Sequence, residues 1–144
     1  MKKATSGVAD LSAQLLQAAG RLTHVQSDLL KQFGLTRTQY DALRAVHLGD
    51  PQGSPVLDVG SRMTTRVPDI TRLADRLERD GFVQRTQSKD DRRVVHIRLK
   101  KKAVTLLGKI DRPLAAATKK LLGALSSKEQ KVLGDLLQRL AAAE

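Results

Sequence analysis

The chain has 144 residues, no cysteine and a formal net charge of +11, with 40% hydrophobic and 28% charged residues. This is a globular balance, long enough to bury roughly 68–70% of the unfolded surface, and it excludes disulfides, thiolate metal sites and a cysteine redox switch. Aromatics are only 2% (Phe33, Tyr40, Phe82), and the three histidines, His24, His47 and His96, are not spaced for zinc, so an aliphatic, largely helical chain without cofactor is expected.

From about Asp10 to Gln32, Leu11, Leu15, Ala18, Leu22, Val25 and Leu29 recur three or four residues apart, the stripe of a long helix that Gly34 stops. Thr36-x-x-Gln39 is a capping box for a second helix with Tyr40, Leu43 and Val46 turned inward. A loop at 49–53 follows. Ser54-Pro55 then reads as a cap and first-turn proline for a short element through Val59 to Met63, or Val56-Leu57 as a brief strand. The next helix is predicted over Arg66–Asp80, with Pro68 and Asp69 in its first turn and Ile70, Leu73, Ala74 and Leu77 buried. Gly81 ends it. Residues 82–87 and 94–99 read as two strands of a hairpin, the second alternating Val95, Ile97 and Leu99 with His96, Arg98 and Lys100. Helical period returns from Ala103 with Leu107, Ile110, Leu114, Ala117 and Leu121, and Pro113 should kink or split that helix. Ser126-x-x-Glu129 opens a last helix bearing Val132, Leu133, Leu136, Leu137 and Leu140.

The charge is concentrated. Arg62–Lys102 carries 13 basic and 6 acidic residues, and within it Gln84–Lys102 carries 8 and 2. Two short helices joined by a turn can set the second into a major groove, about 12 Å wide, while a basic hairpin reaches the neighbouring backbone or minor groove. Thr65, Arg66, Asp69, Thr71, Arg72 and Arg76 are the candidates on and before the reading helix, since Arg pairs with guanine and Thr suits phosphate. A solvated helix face, with a pair such as Arg72–Asp75, is the plainer alternative, weighing most for Arg76 and Arg79. Lys89, Arg92 and Arg93 are the candidates at the hairpin tip.

The stretch RVPDITRLADRLERDGFVQRTQSKDDRRVVHIRL resembles the core of the multiple-antibiotic-resistance regulator (MarR) family, whose wing pattern D-x-R-x-x-x-x-x-L-T is met by Asp91, Arg93 and Leu99. Lys100 stands where that pattern has Thr, and Ala103 where glycine is usual, which weakens the cap of the following helix more than any DNA contact. The resemblance implies a mainly α fold with a small β-hairpin: a winged helix-turn-helix core plus N- and C-terminal dimerisation helices. It also implies that Asp91 pairs with a nearby Arg and organises the wing, and that Arg93 enters the minor groove. Asp90 and Asp91 as a mere turn-forming pair are the alternative.

The first and last helices bear more apolar stripe than a small lobe can cover, so Leu15, Leu22, Leu121, Leu133, Leu136, Leu137 and Leu140 are expected at a homodimer interface. The terminal helices covering one another within one chain is the alternative. The expected division is 1–34, an N-terminal helix of the dimerisation lobe; 35–102, the DNA-binding lobe; and 103–144, the C-terminal dimerisation helices. The partners expected are an operator in double-stranded DNA and a second copy of the chain. The family resemblance adds a small aromatic acid or phenol as effector; Arg21, His24, Arg44 and His47 are polar positions that would hold a carboxylate, though local bonding or exposure explains each as well. A basic N-terminus without an apolar run behind it, and no stretch of 18 apolar residues, lead us to expect a cytoplasmic protein without a membrane partner. No Gly-rich phosphate loop or nucleophile set suggests an enzyme. A non-specific, nucleoid-type DNA-binding protein is the competing class.

Overall fold

The computed structural model describes residues 2–143, with side chains described from residue 7 onward. The first helix, α1, spans Lys2–Gln32. It begins eight residues ahead of the expected start; Lys2–Ala9 contains no proline to halt propagation once a helix exists. Gly34, at φ 73°, ends α1, and the Leu35 amide reaches back to the Leu30 carbonyl at 3.1 Å. That turn sends Leu30 and Leu35 into the core.

Helix α2 (Arg37–His47) starts on the expected capping box: the Gln39 amide donates to Thr36 Oγ1 at 3.1 Å, and the Thr36 amide to Gln39 Oε1 at 2.9 Å. Leu43 and Val46 are buried as expected, and Tyr40 half-buried, with burial raising its phenol pKa. Strand β1 (Ser54–Pro55) and helix α3 (Val56–Arg62) then follow without a linker. Both expected alternatives are thus partly realised, each displaced by one or two residues. Ser54 does not cap α3; its buried hydroxyl accepts from the Asp50 amide at 3.0 Å and from Arg62 Nη1 at 3.3 Å. Pro55 takes the cap position instead, and its missing amide costs nothing on an edge strand.

Helix α4 (Ile70–Arg79) is shorter than expected. Asp69 is its N-cap, accepting the Arg72 amide at 3.0 Å, and a cap residue must itself be non-helical. Pro68 also biases Val67 towards extended backbone, so residues 64–68 precede the helix rather than forming its first turn. Leu73, Ala74 and Leu77 are buried; Ile70 is only half-buried. After Gly81, at φ 78°, strands β2 (Val83–Gln87) and β3 (Val95–Leu99) pair antiparallel with Arg85 opposite Ile97. With β1 they form a three-stranded sheet ordered β1-β3-β2. Two-residue β1 carries too short a pattern to be read from sequence.

Helix α5 (Lys101–Leu122) leaves the sheet at once. Its cap residue, Lys100, makes no side-chain cap hydrogen bond, as expected where threonine is replaced. Pro113 does not split α5, which runs through as one helix. Ala103, Leu107, Ile110 and Leu114 are buried against α1, α2 and β3. Helix α6 (Ser127–Ala141) opens on the second capping box, Ser126 with Glu129, whose carboxyl the Ser126 donors hold below the ordinary range. The core therefore lies between α5, the α2–α4 layer and the inner face of the sheet, with Leu30, Leu43, Leu77, Ile97, Leu107 and Ile110 sealed from solvent. No helix among the described residues is long and apolar enough to cross a membrane.

Candidate nucleic-acid interface

The loop before α4 is tied to the core by one acid. Asp41 of α2 is buried, and its carboxylate accepts from the Thr64 amide at 3.2 Å, Thr64 Oγ1 at 2.7 Å and the Thr65 amide at 2.7 Å. Burial by itself raises the Asp41 pKa, but the donors from Thr64 and Thr65 outweigh it, and the group titrates below its ordinary value. A buried charge is tolerable here because donors satisfy both oxygens. The effect is to hold the backbone that presents Thr65 and Arg66, both exposed.

On α4 itself, Thr71, Arg72 and Arg76 are exposed, opposite the stripe formed by Leu73, Ala74 and Leu77. Arg72 stays free enough to reach outward: its nearest acid is Asp69, at 4.0 Å, and 78% of its side chain is exposed. The Arg72–Asp75 pair of the plainer alternative does not form; Asp75 pairs with Arg85 of β2 instead. Arg66 stands ahead of the helix and so does not share its outer face, contrary to expectation. Asp69 is occupied as the cap.

The hairpin tip is organised from within. Ser88 Oγ accepts the Asp91 amide at 3.4 Å, Asp91 Oδ1 accepts the Arg93 amide at 2.9 Å, and Gln87 Nε2 donates to the Arg92 carbonyl at 2.6 Å. Asp91 thus shapes the tip through a backbone amide; among the described residues no guanidinium pairs with it, so the expected Asp91–Arg ion pair is absent. An Asx-type turn satisfies that carboxylate two residues away without an arginine. Lys89, Arg92 and Arg93 are left exposed.

Helix and hairpin meet across a cleft of about 550 Å³, with Thr71 of α4 on one wall and Arg93 of the hairpin on another. Leu57 and Asp58 of α3 and the Arg85 side chain complete it. Of the polar positions considered for a carboxylate ligand, His24 faces Asp28 at 3.2 Å and Arg44 faces Asp111 at 3.6 Å, whereas Arg21 and His47 are exposed.

Two groups that hold the candidate site in place escaped sequence reasoning. Asp41 interrupts an inward helix face between Tyr40 and Ala42, a charge where only a partnered one is stable. Arg85 shares a strand face with Val83, which is buried, so an inward arginine required carboxylates nearby. Both signals were present, but neither names its partner.

The terminal helices present a different surface. Leu15 is 41% exposed, Leu136 51% and Leu140 57%, with Leu133 and Leu137 also exposed, while Leu22 and Leu121 are half-buried. Leu15, Leu22, Leu121, Leu133 and Leu137 line one apolar groove of about 560 Å³.

The sequence pattern of the MarR family matches residues 35–95, from the α2 cap to the hairpin. The chain is 31% identical over 109 residues to the uncharacterized HTH-type transcriptional regulator YkoM of Bacillus subtilis, covering 76% of this chain and 70% of that protein. It is similar to the crystal structure of a MarR transcription factor from Planctomyces limnophilus, at TM-score 0.71 and 32% identity over 90% of this chain and 94% of that one. At 17% identity its fold also matches a mutant MarR from Escherichia coli, crystallised with operator DNA, with TM-score 0.83 and coverage of 93% and 95%. On these likenesses, and on a helix-and-hairpin arrangement that answers to them, the chain belongs to the MarR family of transcription regulators.

Proposed function

We propose that this protein is a sequence-specific repressor that binds double-stranded DNA as a homodimer on a pseudo-palindromic operator. The observation that carries the reading is the shared cleft: Thr71 and Arg93 stand on its walls, with Arg72, Arg76, Lys89 and Arg92 exposed on the same two elements. A phosphate strand crossing between the elements would leave α4 in the major groove and the hairpin tip at the minor groove. Thr65, Arg66, Thr71, Arg72 and Arg76 contact bases and phosphates in this reading; Lys89, Arg92 and Arg93 contact the backbone and minor groove; Asp69 and Asp91 shape the backbone beneath them. The operator bound to the E. coli MarR mutant supports the same partner.

The dimer reading rests on α6, which buries no residue, and on the apolar groove it shares with α1 and α5. Helix α1 and the segment from 103 onward form the dimerisation part, and residues 35–102 the reading part. A two-fold molecule requires half-sites about 10 bp apart centre to centre, or a multiple of that. A bound dimer blocks a promoter by occupancy. A small aromatic acid that disfavours this spacing would release it, and a groove of about 450 Å³ bordered by α1, α2, α5 and α6, where Tyr40 and Leu114 would take the ring and Lys119, rather than Asp111, the carboxylate, is where we place it.

Selection of bound duplexes from a random pool, with and without such acids, tests the whole reading: a two-fold consensus is expected. Operator affinity should fall with salt at a log–log slope near −7 if ~8 phosphates are neutralised per dimer. Arg72→Ala should cost about 1–3 kcal/mol and relax base preference at one position per half-site; Arg93→Ala should weaken all sequences alike. Binding that competes equally with bulk genomic DNA, and an Arg72→Ala variant with unchanged preference, would establish a nucleoid-type protein instead.

A further inference from the structure

Among the described residues, Arg85 is the side chain of β2 that grips α4 with ion pairs. Its Nε donates to Glu78 Oε2 at 2.9 Å, its own amide donates to Glu78 Oε1 at 3.0 Å, and its Nη1 pairs with Asp75. Asp75 and Glu78 lie three residues apart on α4, so one guanidinium spans nearly a turn of the helix. Only 27% of the Arg85 side chain is exposed, and both of its acids are partly covered. Partly buried, forked pairing of this kind fixes geometry far better than a surface lysine contact. Two residues further along β2, at Gln87, the strand gives way to the tip that carries Lys89, Arg92 and Arg93. Among the described residues, no other ion pair joins α4 to the hairpin.

We infer that Arg85, with Asp75 and Glu78, is a positioning residue for DNA recognition: it locks the hairpin at the angle to α4 at which the hairpin tip and the reading helix engage one duplex together. The inference rests on the operator reading above and adds to it a specific coupling. Arg85 Nε and Nη1 are engaged by the two acids, so although the side chain borders the cleft, its part in this reading is to position the hairpin rather than to contact DNA. Without the clamp, β2 remains paired with β3, but the tip loses its fixed offset from α4. Arg93 then contributes little, because ordering a loose tip offsets what its contact gains.

The decisive variant is Asp75→Asn with Glu78→Gln. It removes two negative charges per chain, so if charge alone mattered, affinity for every duplex would rise. The inference requires the opposite: operator affinity about tenfold lower, with protection of the flanking minor groove lost from a hydroxyl-radical footprint. Arg93→Ala, costing about tenfold in the wild-type background, should cost about twofold or less in the double variant. A merely structural clamp would lower thermal stability yet leave the Arg93→Ala penalty unchanged. That result, or tighter binding by the double variant, overturns the inference while leaving the operator reading intact. If the double variant fails to fold, Arg85→Lys takes its place in the same cycle: it keeps the charge and one carboxylate contact, and should reduce the Arg93→Ala penalty to about threefold. An unreduced tenfold penalty there overturns the inference equally. A wild-type chain that selects no duplex at all sinks the operator reading and the clamp with it.

Discussion

Helices α4 and α6 each carry an apolar stripe at helical spacing and a side-chain cap, yet α4 buries Leu73, Ala74 and Leu77 whereas α6 buries nothing. Around α4 every constraint closes within the chain. Asp69 caps it, Asp41 holds the loop before it, Gly81 turns the chain after it, and Arg85 clasps its side. Around α6 the polar ends close, through the cap and through Gln130, which donates to the Leu122 and Leu125 carbonyls at 3.0 Å, but the apolar face does not. Val132, Leu133, Leu136, Leu137 and Leu140 face outward, a contiguous patch of the kind that marks an interaction surface. Periodicity reveals that a face must be covered, and composition cannot say by what; the open face of α6 is what the proposed dimer would cover.

That contrast can be broken most directly at the open end. Leu133→Asp with Leu137→Asp should convert the protein to a monomer by sedimentation and lower operator affinity about 10²- to 10⁴-fold through lost bivalency, while each chain keeps its helical content. A variant that remains dimeric, or binds DNA undiminished, would place the second copy elsewhere. Next in size, Leu43→Ala in the closed core should cost about 2–5 kcal/mol at any protein concentration. Leu136→Ala should destabilise in a way that tracks concentration, if a second copy covers it as proposed. Equal, concentration-independent losses for the two would erase the distinction. Smaller again, Asp41→Asn should cost about 1–3 kcal/mol, because one of the amide donors it now accepts would face an amide. Its pH dependence has a definite sign. A carboxyl titrating below its ordinary 3.8 when folded stabilises above that value and loses its contribution as pH falls through the folded value. Acid unfolding should therefore be steeper below pH 3.8 for the wild type than for Asp41→Asn, as read by circular dichroism.

The parts legible in the sequence are those governed by neighbours. Thr36 with Gln39 and Ser126 with Glu129 formed capping boxes because both partners sit within one turn. Ile97 is buried while Arg98 is exposed because strand geometry alternates. The α4 stripe and the basic hairpin tip were readable for the same reason. The parts that escaped depend on partners brought from afar: Asp41 meets Thr64, 23 residues on, and Arg85 reaches back to Asp75 on another element. The start of α4 was misplaced by a local rivalry, since Pro68 suits a first turn and Asp69 suits a cap, and the cap prevailed. The carboxylate of Asp91 likewise settled on the nearest amide, where a guanidinium had been expected.

Helix α5 begins two residues after β3 ends and continues for 22 residues, which is about 33 Å of rod at 1.5 Å per residue. One end is rooted in the sheet through Ala103 and Leu107, and the other runs out to Leu121 beside the uncovered leucines. No slack linker intervenes, so a tilt imposed at the far end can reach the sheet only through the rod itself, and how much arrives depends on its stiffness. Pro113, near mid-length, is where the Lys109 carbonyl lacks an amide to hold it, and stiffness there is lowest.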